Sequence, residues 1–254
     1  MHESGTHNRG LTGRVAVIAG AAGGIGKAIA ARLGNAGCWL ALLDLDRGGL
    51  EAAAGELGVE DTALIVPVDV TNLDQVQAAA RAVEERFGRA DILVNSAGTN
   101  TKQRTLDDMS PEQWEHVVNV NLNGVFYCTY AFLPLLRENG GSVVTIASTA
   151  AHLVSAGAGT HYCAAKRALL SFSESINIEQ GKYGIRACAI SPGEVNTALI
   201  DKRPAPPGPE RRAAMLQPLD VAEAVYYVVT QPARVTISDL VIWPSAQISG
   251  TYVV

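Results

Sequence analysis

Val15-Ala-Val-Ile-Ala19 runs straight into Gly20-Ala-Ala-Gly23-Gly24-Ile-Gly26-Lys27, and from there into an alanine-rich segment that ends near Asn35. An apolar run of strand length without polar alternation reads as a strand buried on both faces. Glycines placed after it let the backbone turn tightly and approach a ligand closely. The helix that follows would aim unpaired N–H groups and the positive end of its dipole at that ligand. Strand, glycine turn and helix in this order imply a pyrophosphate site and hence a dinucleotide. The spacing is not the commonest G-x-G-x-x-G arrangement, so a plain structural turn stands as the alternative for the glycines taken alone.

Working outward, the same alternation recurs. Strand-length apolar runs follow at Trp39 to Leu43, Ala63 to Val66, Ile92 to Val94, Ser142 to Ile146, Ile185 to Ile190 and Leu240 to Trp243. Between them lie helix signals: Asp69 to Asn72 supplies cap residues before Leu73 to Phe87, and Ser110-Pro111 opens one long segment toward Arg137. Buried strands alternating with helices predict an α/β fold of Rossmann type, doubly wound, with a mostly seven-stranded parallel sheet and helices on both faces. Such a fold decides nothing about chemistry by itself.

A chain of 254 residues, 48% hydrophobic and 18% charged, suits one dinucleotide-binding domain over residues 13–254 behind a mobile polar leader, residues 1–12. A formal net charge of -5, without clusters of Lys and Arg interleaved with aromatics, argues against nucleic acid. Cys38, Cys128, Cys163 and Cys188 are too scattered for a zinc site or a disulfide framework, so no metal is expected. Neither a signal peptide nor a membrane span is legible, which predicts a cytoplasmic protein.

Asp44 closes the second strand, at the distance downstream where an acidic residue meets the adenosine ribose. A carboxylate there accepts from both ribose hydroxyls and repels a 2′-phosphate. With no cation at Gly23 or Leu45, NAD is expected over NADP. A helix cap is the competing use of Asp44. Asp69 and Val70, ending the third strand, frame the adenine edge or, equally, begin a capping turn.

Tyr162 and Lys166 stand four residues apart on one helix face, so a phenol and an ammonium can act together. A neighbouring cation lowers the phenol's pKa from its usual value near 10 and makes it an acid or base. An ordinary Tyr/Lys helix pair is the alternative for this pattern alone. Ser148 ends the fifth strand, and with the glycine loop these features converge on one edge of the sheet.

Taken in order, the sequence resembles the short-chain dehydrogenase/reductase family from about Gly13 to Gln247. The matching motifs are Gly20-x-x-x-Gly24-x-Gly26, Asn95-Ser-Ala-Gly98, Val120-Asn121, Ser148, Tyr162-x-x-x-Lys166, and Pro192-Gly193 followed by Val195 and Thr197. The resemblance implies a catalytic tetrad of Asn121, Ser148, Tyr162 and Lys166. Tyr162 would exchange a proton with the substrate oxygen and Ser148 would hold that oxygen. Lys166 would bind the nicotinamide ribose and depress the phenol pKa, and Asn121 would hold a water that relays the proton. It further implies cofactor contacts from Gly20, Gly24, Ile25 and Gly26, from Asn95, Ala97 and Gly98, and from Pro192, Gly193, Val195 and Thr197.

The activity so implied is hydride transfer between NAD(H) and a secondary alcohol or ketone, in a homodimer or homotetramer. A dinucleotide-binding regulator without turnover is the alternative, and sugar-nucleotide chemistry is disfavoured by the short chain after the sheet. Departures are Ala19 for the family's usual Thr, Ser96 for a second Asn, and a tail, Val241 to Gln247, without the frequent Asp-Gly-Gly ending. His152 and His161 read as packing or substrate contacts. The proline-rich segment Asp201 to Pro209 reads as a substrate-facing loop, with a solvated surface loop as the alternative. Lys202, Arg203, Arg211 and Arg212 read as a solvated basic stretch before an anion site.

Overall fold

The computed structural model describes residues 10–249. Its strands are β1 (Val15–Ala19), β2 (Trp39–Asp44), β3 (Leu64–Pro67), β4 (Ile92–Asn95), β5 (Ser142–Ile146), β6 (Arg186–Pro192) and β7 (Asp239–Ile242). Among the described residues they form one sheet in the order β3-β2-β1-β4-β5-β6-β7, and every neighbouring pair is parallel. This is the doubly wound architecture that the apolar runs predict. Chain order reverses beside β1, between β2 and β4, which opens a crevice at the carboxyl ends of the strands.

Successive side chains of a strand point to opposite faces, so each strand serves two cores. Ala16 and Ile18 of β1 pack with Leu40 and Leu42 against α1 (Gly24–Asn35), α2 (Arg47–Leu57) and α8 (Pro218–Val229). Val15, Val17 and Ala19 pack on the other side against α3 (Leu73–Phe87), α5 (Gly124–Arg137) and α6 (Thr160–Gln180). That division explains why these strands carry no polar alternation. The other α-helices among the described residues are α4 (Pro111–Val118), α7 (Pro209–Ala213) and α9 (Ser245–Ser249).

Three features differ from the sequence expectation. Of the leader expected over residues 1–12, residues 1–9 lie outside the described residues; Leu11 is buried in the core and its carbonyl accepts from Cys38 Sγ, so packing begins before Gly13. The single helix expected from Ser110 to Arg137 is interrupted by a π-helical turn, Asn119–Asn123. There the Asn121 side-chain amide donates to Val117 O at 2.8 Å and Thr99 O at 2.9 Å, displacing the regular ladder. Strands β4 and β6 also run past their apolar cores, which carries Asn95 into register with Thr145 and Pro192 with Ile242, while Asp44 closes β2 opposite Pro67 as expected.

Candidate active site

The crevice is a cleft of about 1160 Å³. That exceeds the roughly 300–1,000 Å³ usual for one small ligand, so it has room for a dinucleotide and a substrate together. Gly20, Gly24, Ile25, Gly26, Gly98, Ser148, Tyr162, Lys166, Pro192, Gly193, Val195 and Thr197 all line it. Thus most of the residues singled out in sequence, drawn from five separate segments, meet in one place.

At the glycine loop the backbone is packed too tightly for side chains. Gly20 adopts φ +89, and a Cβ there would lie 2.5 Å from Ala97 N; one on Gly26 would lie 2.0 Å from Gly20 O. The helix that starts here also differs from its neighbours. α2, α3 and α4 are capped by the side chains of Asp46, Asn72 and Ser110, whereas α1 has Gly23 at its cap, no side-chain cap bond and no acidic residue in its first turn. Its free N–H groups face the cleft and suit an anion. Asp44, half-buried at the end of β2, accepts from Ala22 N and Asp46 N, both at 3.1 Å, and so ties the second strand to the loop. The cap of α2 is Asp46 rather than Asp44.

Other expected cofactor contacts lie outside the lining of this cleft. Asp69 accepts from Thr71 N and Thr71 Oγ1 in a turn that leads to the Asn72 cap, and Val70 is buried beneath Gly124. Asn95 donates to Thr129 Oγ1 at 3.3 Å inside the core, and Ala97 backs Gly20. None of these four lines the cleft itself; Val70 and Asn95 are buried, and Asp69 and Ala97 are half-buried beside it.

Ser148, Tyr162, Lys166 and Asn121 converge from β5's end, α6 and the π turn. Ser148 and Tyr162 line the cleft together, the Ser148 hydroxyl acts on the Tyr162 phenol, and its Oγ accepts from Ala150 N at 3.2 Å. Lys166 Nζ donates to Ile146 O at 2.7 Å and lies 5.6 Å from the Tyr162 ring centroid. Asn121 Oδ1 is buried with no hydrogen-bond partner among the described residues. A methyl group on Gly98 would sit 3.1 Å from that oxygen and 3.7 Å from Lys166 Nζ. Amide oxygen and ammonium therefore border the same small space, with the dimensions of a bridging water.

The electrostatics correct one expectation. Burial pushes the Tyr162 phenol above its ordinary value; the Ser148 hydrogen bond and the Arg104 and Arg203 guanidiniums oppose that rise, and Lys166 is not what sets it. Burial lowers Lys166 itself from 10.5 to about 8, because the ammonium has given up solvent for one carbonyl. Below about pH 8 both the folded and the unfolded chain carry that proton and the cost of burying it is fully felt. As pH rises from about 8 toward 10.5 the unfolded chain holds more of it, so stability from this group rises with pH. Urea midpoints of wild type and Lys166→Met from pH 7 to pH 10 will show the wild type gaining on the variant. A gap that stays constant refutes the burial argument. The phenol acts in the opposite sense only above its unfolded value of 10.0.

A sequence model of the family described as short chain dehydrogenase matches residues 14–207. The chain belongs to the short-chain dehydrogenase family. It is an oxidoreductase, and the fold of its family binds a nicotinamide dinucleotide. Relatives described as uncharacterized oxidoreductases, from Staphylococcus aureus and Staphylococcus haemolyticus, are 34% and 35% identical over 235 residues, covering 92% of this chain and 98% of theirs. Among solved structures, a 3-ketoacyl-(acyl-carrier-protein) reductase from Brucella melitensis complexed with NADH superposes with TM-score 0.81 at 31% identity, covering 92% of this chain and 98% of that one. An alcohol dehydrogenase from the archaeon Thermococcus sibiricus complexed with 5-hydroxy-NADP gives TM-score 0.81 at 32% identity, covering 91% and 97%.

In this short-chain dehydrogenase several wall residues escape the sequence reading. Glu194, within the Pro192 to Thr197 turn, accepts from Arg203 at 2.5 Å and Arg211 at 3.0 Å, and its side chain is only 10% exposed. Burial pushes its carboxyl up, but the two guanidiniums outweigh that and hold it below the ordinary value. Arg212 pairs with Asp201, and Lys202 donates to Thr99 Oγ1 at 3.0 Å, so the solvated basic stretch is instead a set of tied side chains. Lys202, Arg203, Pro204 and Ala205 line the cleft, as a substrate-facing loop requires. The tail also turns inward: Trp243 and Gln247 line the cleft, and Gln247 Oε1 accepts from Glu194 N at 3.1 Å.

The two histidines are held elsewhere. His161 is bonded to Thr101 Oγ1 at 2.8 Å and His152 to Ser191 Oγ at 3.0 Å, and neither lines the cleft. Among the described residues no group of three or more His, Cys, Asp or Glu could hold a metal, and no helix is long and apolar enough to cross a membrane.

Proposed function

We propose that this enzyme transfers a hydride between NAD(H) and a secondary alcohol or ketone, with Tyr162 exchanging the proton on the substrate oxygen. The observation that carries the reading is the meeting of Ser148, Tyr162 and Lys166 on one cleft wall, backed by the Asn121 oxygen beside Gly98, which has no partner among the described residues. When bound, the nicotinamide supplies or accepts the hydride.

The uncapped N-terminus of α1, with Gly20, Gly24, Ile25 and Gly26, would hold the pyrophosphate, and the Gly20 and Gly26 backbones leave no side chain in its way. Asp44 would take the adenosine ribose, Asp69 and Val70 the adenine edge, and Asn95, Ala97 and Gly98 would shape the wall for the ribose beyond. Pro192, Gly193, Val195 and Thr197 would hold the nicotinamide end. Ser148 and Tyr162 would both hydrogen-bond the substrate oxygen. In reduction the protonated phenol donates its proton to that oxygen; in oxidation the phenolate takes it. Lys166 and a water held by Asn121 Oδ1 would restore the phenol's proton from outside.

NAD rather than NADP is supported by the Asp44 carboxylate at the end of β2 and by the absence of a cation at Gly23 or Leu45. Removing a charged acceptor costs about 1.5–3 kcal/mol, roughly ten- to a hundredfold in affinity. Asp44→Ala should therefore weaken NADH by that factor while NADPH binds as well or better. Fluorescence titration with both cofactors measures it, and an unchanged NADH-to-NADPH ratio rejects the ribose assignment.

A further inference from the structure

We propose that the substrate of this cleft carries a carboxylate, recognised by the guanidiniums of Arg104 and Arg203. The inference rests on the oxidoreductase reading above and deepens it by assigning the charge and class of the substrate: an oxo or hydroxy acid.

The chain as a whole is negative, with a formal net charge of -5, yet among the described residues the charged groups lining the cleft are Arg104, Lys166, Lys202, Arg203 and Arg211 against Glu194. Lys166 belongs to the proton-transfer group. The pyrophosphate of a dinucleotide is provided for at the uncapped end of α1, on the glycine loop. What remains is a set of four cations from the segment after β4 and the segment after β6, and a single carboxylate. Glu194 is taken up by Arg203 and Arg211, whereas Arg104 and Lys202 have no carboxylate paired with them among the described residues.

Arg104 is the most telling of them. It is 6% exposed, and its guanidinium is tied by four hydrogen bonds, all to carbonyls: Thr101 O, Gly157 O, Ala158 O and Lys202 O, at 2.6 to 3.1 Å. No carboxylate is paired with it among the described residues. Burying a guanidinium without a counter-ion is costly, and an anionic ligand in the cleft would offset that cost. A guanidinium has five N–H groups, so four bonds leave one on Nη2 to donate. The carbonyl ties also fix it against the segment that precedes Tyr162, and its field, with that of Arg203, reaches the phenol. A carboxylate near the reacting carbon would thus meet two guanidiniums while its oxygen-bearing carbon faces Ser148 and Tyr162. Leu153, Val154 and Leu199 give the same cleft an apolar wall for a short aliphatic chain.

The test uses the full-length protein with NADH and a panel of oxo acids of about four to six carbons, each beside its methyl ester, which keeps the skeleton and removes the charge. Turnover is read by nicotinamide absorbance and binding by calorimetry. The acids should be preferred at least about tenfold, and the preference should shrink as ionic strength rises. Arg203→Gln, which leaves every Arg104 tie in place, and Arg104→Gln should each cut the acid-to-ester ratio about tenfold, with Arg104→Lys recovering part of it. NADH affinity should stay within about twofold. Esters bound as well as acids, no binding of either, or variants that lose NADH rather than acid preference each overturn the carboxylate assignment. Acids that bind through these arginines with no turnover of any oxo or hydroxy compound would instead sink the oxidoreductase reading and leave the anion site standing.

Discussion

Tyr162→Phe is expected to lower kcat/KM for alcohol oxidation roughly a thousandfold, within the hundred- to ten-thousandfold range that a positioned proton donor or acceptor supplies. The substitution removes one oxygen from a ring in the cleft wall and nothing else. Ser148 Oγ keeps its bond from Ala150 N, so the loss to stability is only about 1 kcal/mol, that of one hydrogen bond. NADH binding should stay within about twofold by fluorescence titration, because the glycine loop and the end of β2 are untouched. A second readout follows from the direction of the phenol's shift. Burial keeps Tyr162 protonated at neutral pH, so wild-type oxidation should quicken as pH rises and reduction should slow. The residual rate of the variant should have lost that dependence. A variant retaining a third of wild-type turnover, or the same pH profile, removes Tyr162 from the reaction.

That reversal of the Tyr162 shift illustrates where sequence reasoning reaches and where it stops. The sheet is legible because strands buried on both faces need unbroken apolar runs, and Val15 to Ala19 or Ser142 to Ile146 can satisfy both cores only that way. The pairing of Tyr162 with Lys166 is legible because one helical turn separates them. Their energetics are not, since burial depends on the surrounding walls, and burial dominates both groups. The π turn is hidden because it depends on the Asn121 amide reaching Thr99 O, 22 residues away in sequence. Arg104 is hidden for the same reason on a larger scale: its partners Gly157 and Lys202 are 53 and 98 residues downstream. Glu194 carries a local signal, an acidic residue inside the Pro192 to Thr197 turn followed by Arg203 and Arg211, but only the fold shows that they meet. Asp46 rather than Asp44 as the cap is within reach of the sequence, since Asp46 immediately precedes the first helical residue, Arg47.

Gly26→Ala should be the most damaging small substitution in the glycine loop. An added Cβ would lie 2.0 Å from Gly20 O and 2.7 Å from Gly20 C, and these are backbone atoms that cannot rotate aside. Nor can Gly20 retreat. Its N–H donates to Leu43 O at 2.7 Å, and on its other side it already lies against the backbone of Ala97. The methyl must therefore push the first turn of α1 away from β1, where Ile29, Ala30 and Leu33 pack the core. Overpacking at a site that cannot yield costs about 3 kcal/mol or more, which for a domain of this size lowers Tm by about 6–12 °C. Because the same turn presents its N–H groups to the cleft, NADH affinity should fall with it. Gly23→Ala is the matched control: Gly23 has φ -72, and a Cβ there meets Gly20 O at 3.4 Å, an ordinary contact, so its effect should stay under about 1 kcal/mol. Should Gly26→Ala melt within about 2 °C of wild type and bind NADH unchanged, the close approach of Gly20 and Gly26 would have no part in shaping the phosphate site.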